Sequence, residues 1–200
     1  MEATTFHLIR HASYGLLGRV LAGRQPGHAL NAAGREEAAR LAETLKARTL
    51  AAVCSSPIER AQETARIIAA PHKLDVLIEP DLTEIDFGAW TGMTFGDLHA
   101  QPGWAAFNVF RSTVPTPGGE SMLAAQARAV AALVRLAVRY PGAELAVVSH
   151  GDVVKAILAH ALGTPLDLFR RIEISPASRS VITLEEGGLH VLGVNLPPWA

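Results

Sequence analysis

The stretch Thr5-Phe6-His7-Leu8-Ile9-Arg10-His11-Ala12 decides how the rest of the 200-residue chain is read. Thr5, Phe6, Leu8 and Ile9 are β-formers and together predict a short buried strand. The strand stops at Arg10-His11, and a loop containing Gly15, Gly18, Gly23, Pro26 and Gly27 follows. So many glycines suit a loop that approaches something closely. A permanent cation beside an imidazole at a strand's end is unusual as plain architecture, because an uncompensated charge away from water is costly. On these residues alone a solvated Arg-His pair reads equally well, so the neighbouring stretches must decide.

Working outward, Asn31 fits the N-cap of a helix running to about residue 47, with Ala38, Leu41, Ala42 and Leu45 on one face. Residues 50–54 read as an apolar strand. Ser56 then fits a cap, and Pro57 the first position of a second helix reaching about residue 70. Residues 74–78 predict a third strand, followed by the irregular segment 82–92 and a short helix over about 93–100. Residues 101–119 form a connection with several prolines and glycines and the aromatics Trp104, Phe107 and Phe110. It reads either as a packed excursion or as a lid, since long connections in compact domains tend to carry function. A long helix spans about 121–140. Arg128, Arg135 and Arg139 fall on one of its faces, which reads as solvated. A fourth strand at 145–149, a helix at about 153–162 ended by Gly163, and two strands at 178–184 and 189–194 complete the chain. The last two are joined by Glu186-Gly187-Gly188 and read as a hairpin.

Strands alternating with helices predict a three-layer α/β/α sandwich with a mostly parallel, mixed central sheet. Residues 1–200 read as one domain, with a lid-like insertion at about 93–120. The composition fits: 49% hydrophobic residues supply a core, and 19 acids against 18 bases leave a net charge of −1. This excludes a polybasic nucleic-acid binder and an acidic disordered chain. Cys54, the sole cysteine, excludes an internal disulfide framework and a cysteine-based zinc cluster. The apolar run before Arg10 is too short for a signal peptide, and Arg128 and Arg135 interrupt the longest apolar region. The expectation is a cytoplasmic protein with no nucleic-acid or membrane partner; a homodimer is compatible with it.

In open sheets of this kind ligands bind beyond the carboxyl ends of the strands. Arg10 and His11 follow the first strand, Arg60 the second, Glu84 the third and His150 the fourth. Two arginines on one pocket select for a phosphate, because each guanidinium is permanently charged and can donate two parallel hydrogen bonds to anionic oxygens. His150-Gly151 also sits just before a helix, where free N–H groups favour an anion. A neutral imidazole is a competent nucleophile near pH 7, and adjacent arginines keep it unprotonated. Glu84 would then be the general acid, kept protonated by a nearby phosphate dianion. This chemistry needs no metal or other cofactor.

Cys54-Ser55-Ser56-Pro57-Ile58-Glu59-Arg60 also fits the C-x5-R spacing of cysteine-dependent phosphatases. The intervening residues argue against that reading. Pro57 removes an anion-cradling N–H, Glu59 adds negative charge, and no glycine permits the tight loop. A cysteine ending a buried strand is usually an inert small hydrophobe.

Several ordered blocks resemble the histidine phosphatase superfamily, the phosphoglycerate-mutase-like fold. Leu8-Ile9-Arg10-His11-Ala12 is similar to its L-x-R-H-G signature, and Leu30-Asn31-Ala32-Ala33-Gly34 to its L-T-x-x-G helix start. Ser55-Ser56-Pro57-Ile58-Glu59-Arg60-Ala61-Gln62-Glu63-Thr64 resembles S-S-P-L-x-R-A-x-x-T. Glu84 to Gly92 resembles E-x-x-x-G-x-W-x-G, and Val148-Ser149-His150-Gly151 resembles V-S-H-G. Ordered blocks spread from residue 8 to residue 151 are far more specific than any one of them.

The resemblance implies His11 as the residue that becomes phosphohistidine. It implies Arg10, Arg60 and His150 as phosphate ligands, His150 also steadying the transferring group, and Glu84 as proton donor and acceptor. It further implies Arg24 as a loop residue facing substrate. Ala12 departs from the usual glycine. Leu16 and Leu17 stand where many members place a polar phosphate contact, a role Ser13 could fill. The E-R-x-Y-G-x-L insertion of the mutases is missing from residues 97–119. The expectation is therefore a phosphomonoester hydrolase acting on a small phosphorylated metabolite. A mutase-type phosphotransferase and a non-catalytic binder of a phosphorylated ligand are the alternatives.

Overall fold

The computed structural model describes residues 2–199. Its central sheet has six strands: β1 (Thr4–Arg10), β2 (Leu50–Ser55), β3 (Val76–Ile78), β4 (Glu144–Ser149), β5 (Arg179–Glu185) and β6 (Gly188–Leu196). Their spatial order is β3-β2-β4-β1-β5-β6. The first four pair in parallel; β5 runs antiparallel to β1, and β6 antiparallel to β5. The sheet is therefore mixed, as expected.

Side-chain alternation assigns the layers. Phe6 and Leu8 of β1, Ala52 and Cys54 of β2, and Leu145 and Val147 of β4 point to one face. There they meet α5 (Met122–Arg139) and α6 (Gly151–Ala161). Ile9, Val53, Ala146 and Val148 point to the other face and meet α1 (Ala32–Leu45) and α2 (Glu59–Ala69). Phe6 and Leu8 are fully buried, each stabilising the fold by roughly 1.5–3 kcal/mol relative to exposure. Among the described residues no helix is long and apolar enough to cross a membrane.

Local signals mostly hold. The Asn31 side chain caps α1 by accepting from the Gly34 N–H at 2.8 Å. Gly34 also lets α1 approach the loop after β1: a Cβ there would lie 1.9 Å from the Ser13 carbonyl oxygen. Ser121 caps α5 in the same way. Three expectations need correction. Helix α2 begins at Glu59 with Ile58 as its N-cap, because the Ser56 hydroxyl is turned onto His150 instead. Residues 101–119 are not simply a connection. After the short α3 (Phe95–His99) comes α4 (Trp104–Val109), whose Trp104 and Phe107 pack on Trp90 at ring-centroid distances of 5.3 Å. The arginines of α5 do not form one solvated face. Arg135 and Arg139 are exposed, but the Arg128 side chain keeps only 15% of its exposure.

Candidate active site

The carboxyl ends of β1, β4 and β2 are adjacent in the sheet, and the chain delivers one set of polar residues to each. Strand β1 ends in Arg10, followed by His11. The His11 ring is buried, and its Nδ1 lies 2.9 Å from the Ala12 carbonyl oxygen, which can only accept. Its Nε2 lies 3.2 Å from Arg60 Nε, which can only donate. The two contacts fix the tautomer: Nδ1 carries the proton and Nε2 presents its lone pair.

Arg60, on the first turn of α2, is 1% exposed. Its Nη2 donates to the Gly23 carbonyl at 2.8 Å and faces His150 Nδ1 at 3.4 Å. The guanidinium lies 5.0 Å from the centre of the Tyr14 ring. Its Nη1 has no hydrogen-bond partner although it is buried. A buried guanidinium nitrogen without an acceptor is the mark of a place where an anionic oxygen fits. Arg10 is held by donation from Nη1 to the Ile174 carbonyl at 2.6 Å, and its buried Nε is likewise without an acceptor. It lies against Gly151, where an added Cβ would come within 3.2 Å of Nε.

His150 follows β4 directly as the N-cap of α6 and is fully buried. Arg60 can only donate to its Nδ1, so Nε2 carries the proton and donates to Ser56 Oγ at 2.7 Å. Both imidazoles are held well below the usual histidine range. Burial is the main cause and the Arg60 charge the next. Desolvation, more than the arginines, therefore keeps them neutral.

Glu84 lies on the loop after β3, with Oε2 3.9 Å from His150 Nδ1. Burial, and then the Asp152 charge, push its carboxyl up to about 7. A large fraction of the acid form is thus present near neutral pH before any phosphate arrives. Three side chains fix this loop. Arg24 Nε and Arg128 Nη2 both donate to the Glu84 carbonyl oxygen, at 2.7 and 3.2 Å. Glu120 joins the two arginines, accepting from Arg24 Nη2 at 3.0 Å and from Arg128 Nε at 2.7 Å.

These groups surround one cavity of about 640 Å³. Arg10, His11, Arg60 and Glu84 line it; His150 stands behind the wall, against Arg60 and Ser56. Three residues expected to meet substrate, His150, Arg24 and Ser13, do not line the cavity. Arg24 does not line the cavity, because its guanidinium is spent on the Glu84 carbonyl and Glu120. Ser13 is also turned away, donating through Oγ and N to the Glu37 carboxylate at 2.8 and 2.9 Å. Cys54 sits in the core on the α5/α6 face, and burial pushes its thiol up to about 12, far from a thiolate nucleophile. Among the described residues no group of three or more His, Cys, Asp or Glu side chains could hold a metal ion.

A family model of the histidine phosphatase superfamily (branch 1) matches residues 6–197. The chain belongs to this superfamily. It is 36% identical over 182 residues to a bifunctional protein of Mycobacterium tuberculosis, covering 89% of this chain but 50% of that protein. The chain thus spans about half the length of the first curated relatives it matches. It is 31% identical over 198 residues to phosphoserine phosphatase 1 of Hydrogenobacter thermophilus, covering 94% of this chain and 90% of that one. The solved structure of Bacillus stearothermophilus YhfR superposes with a TM-score of 0.90 at 30% identity, covering 96% and 97% of the two chains.

Among the cavity-lining residues of this member of the histidine phosphatase superfamily that the sequence reading did not mark are Tyr14, Arg111, Asp152 and Arg170. Asp152 carried a signal, since it follows His150-Gly151 at a strand end. Tyr14 is three residues past His11 in the glycine-rich loop. Arg111 and Arg170 reach the site only through the packing of α4 and of the turn at Leu166–Arg171.

Proposed function

We propose that this chain is a metal-independent phosphomonoester hydrolase acting on a small phosphorylated metabolite through a phosphohistidine intermediate. One observation carries the reading: the lone pair of His11 Nε2 shares a cavity wall with the acceptor-free Nη1 of Arg60 and with a carboxyl that titrates near 7. His11 Nε2 attacks phosphorus, and the P–O bond to the alcohol breaks. Glu84 gives its proton to the departing oxygen. Water then attacks the phosphohistidine, Glu84 takes up a proton from that water, and inorganic phosphate leaves with His11 restored. Arg10 and Arg60 carry the charge on the equatorial oxygens, the term that dominates phosphoryl transfer. In this scheme His150 donates nothing to the ester directly; it props Arg60 and bounds the Glu84 side. Residues 93–120 serve as the lid, contributing Phe95, Trp104 and Val109 to the cavity wall. Phosphatase-named relatives of similar length support the hydrolase over the mutase.

Purified protein is expected to release phosphate from p-nitrophenyl phosphate in the presence of chelator. His11→Ala should abolish turnover, and Cys54→Ser should leave it intact. Loss of activity in Cys54→Ser with survival of His11→Ala would overturn the mechanism. Interconversion of 2- and 3-phosphoglycerate faster than their hydrolysis would move the reading to the mutase.

A further inference from the structure

The transferring phosphate accounts for only part of the cavity. A volume of about 640 Å³ lies in the range, roughly 300–1,000 Å³, of sites that enclose a whole small molecule. The rest of the wall carries charges that the reacting phosphate does not use. Arg111 is 5% exposed, and both of its terminal nitrogens are committed: Nη1 to Asp152 Oδ2 at 3.0 Å and Nη2 to Asn108 Oδ1 at 2.9 Å. Its guanidinium is held by the rings of Phe107 and Phe169, with centroids 4.1 and 4.7 Å away. The clamp gives a counter-charge to Asp152, which is the only carboxylate on the described wall besides Glu84.

Arg170 follows Phe169 directly, so it emerges beside this clamp. It is exposed, it lines the same cavity, and its side chain has no hydrogen-bond or ion-pair partner among the described residues. Matching charges leaves it alone. Arg10 and Arg60 answer a phosphate dianion, Arg111 answers Asp152, and Glu84 carries its proton in the acid form. One cation on the wall has no counter-charge until a ligand supplies it.

We propose that Arg170 binds a second anionic group of the substrate, so that the preferred substrates are phosphate monoesters carrying a carboxylate or a second phosphate on the alcohol portion. This rests on the hydrolase reading above and narrows it. The pairing of Asp152 is part of the device: Arg111 weakens the repulsion that its charge would exert on the same anion. A guanidinium on a cavity wall acting on one fixed charge contributes more than a fully exposed surface pair and less than a buried one, so the expected discrimination is about tenfold, or ~1.4 kcal/mol.

The test compares matched esters on the full chain: glycerol 1-phosphate, 3-phosphoglycerate and phosphocholine, and glucose 6-phosphate against glucose 1,6-bisphosphate. The wild type should show kcat/KM at least tenfold higher for an anion-bearing ester than for its neutral partner. The first set reads a carboxylate, the second a second phosphate. In Arg170→Glu that ratio should collapse and selectivity should shift toward phosphocholine. Raising the salt concentration should shrink the wild-type ratio, because an exposed pair is screened. An unchanged ratio in Arg170→Glu, or a wild-type preference for the neutral esters, would overturn the proposal. If no ester turns over, the hydrolase reading fails, and equilibrium binding of the same esters decides the subsite. Tenfold tighter binding of the anion-bearing members, lost in Arg170→Glu, supports it; equal Kd values refute it.

Discussion

At the scale of single residues, the site is a set of groups whose protonation is set by burial. Glu84 is the informative one. In the proposed first step it must be protonated, so its carboxyl near 7 predicts that kcat for an ester with a poor leaving group falls as pH rises through that value. Asp152 raises Glu84 through its negative charge, and removing that charge should lower the carboxyl. Asp152→Asn is therefore expected to move the alkaline limb of the pH–kcat profile to lower pH; a limb that stays in place would remove Asp152 from the account. The same group acts on stability. Its folded pKa lies above the ordinary value of 4.5, so the folded state holds more protons between the two, and stability falls as pH rises from 4.5 to 7. The penalty at pH 8 is on the order of 3 kcal/mol, and Glu84→Gln should melt higher than wild type there. Arg10, His11, Arg60, Glu84 and His150 were legible because each follows a strand by a few residues, and strand ends share one rim. That His150 would stand behind the wall was not legible. Whether a side chain faces the cavity or the protein depends on partners such as Ser56, which sequence reading had spent on a helix cap.

At the scale of elements, helix α5 reaches the site without entering it. Arg128 spans the first part of the helix and the Glu84 loop, donating to the carbonyls of Asp81 and Glu84 and to both oxygens of Glu120. Arg24 meets the same carbonyl from the loop after β1. Glu84, the proposed general acid, thus hangs from two guanidiniums bridged by one carboxylate. Arg128→Met should loosen this support while leaving the cavity wall chemically unchanged. The expected result is a kcat lowered about tenfold with KM nearly constant, since a misplaced acid weakens the transition state more than the ground state. A rise in KM at constant kcat would mean that Arg128 shapes binding instead. Helical spacing placed Arg128 and Arg135 on a common face, and spacing alone assigned that face to water. The structure departs because Glu120, just ahead of the helix, folds back over its first turns. Periodicity describes a helix in isolation and is blind to what its flanks bring to it. The six-residue α4 escaped for a related reason: it is too short for a periodic signal and is held by Trp90 and Trp104 stacking edge to face.

At the scale of the molecule, the fold class was legible from the alternation of strands and helices, whereas the order of the strands was not. β4 lies between β1 and β2 although more than eighty residues separate it from β2 in the chain. The cavity wall therefore exists only when distant segments have paired. Hydrolysis of p-nitrophenyl phosphate and far-UV circular dichroism are expected to be lost in a single urea transition. Activity vanishing at lower urea than the helical signal would show the lid or the rim opening by itself. Arg10 adds a consequence in time. Its guanidinium is tethered by the Ile174 carbonyl, and the backbone N–H of Ala177 closes onto the Arg10 carbonyl at 3.1 Å. A growing polypeptide that has delivered everything through α6 already carries both imidazoles, both arginines and the carboxyl of the proposed site, yet the carbonyl that tethers Arg10 is still to come. The stretch around Ile174 to Ala177 therefore works as a latch, closing on Arg10 only after every other member of the proposed site has been synthesised.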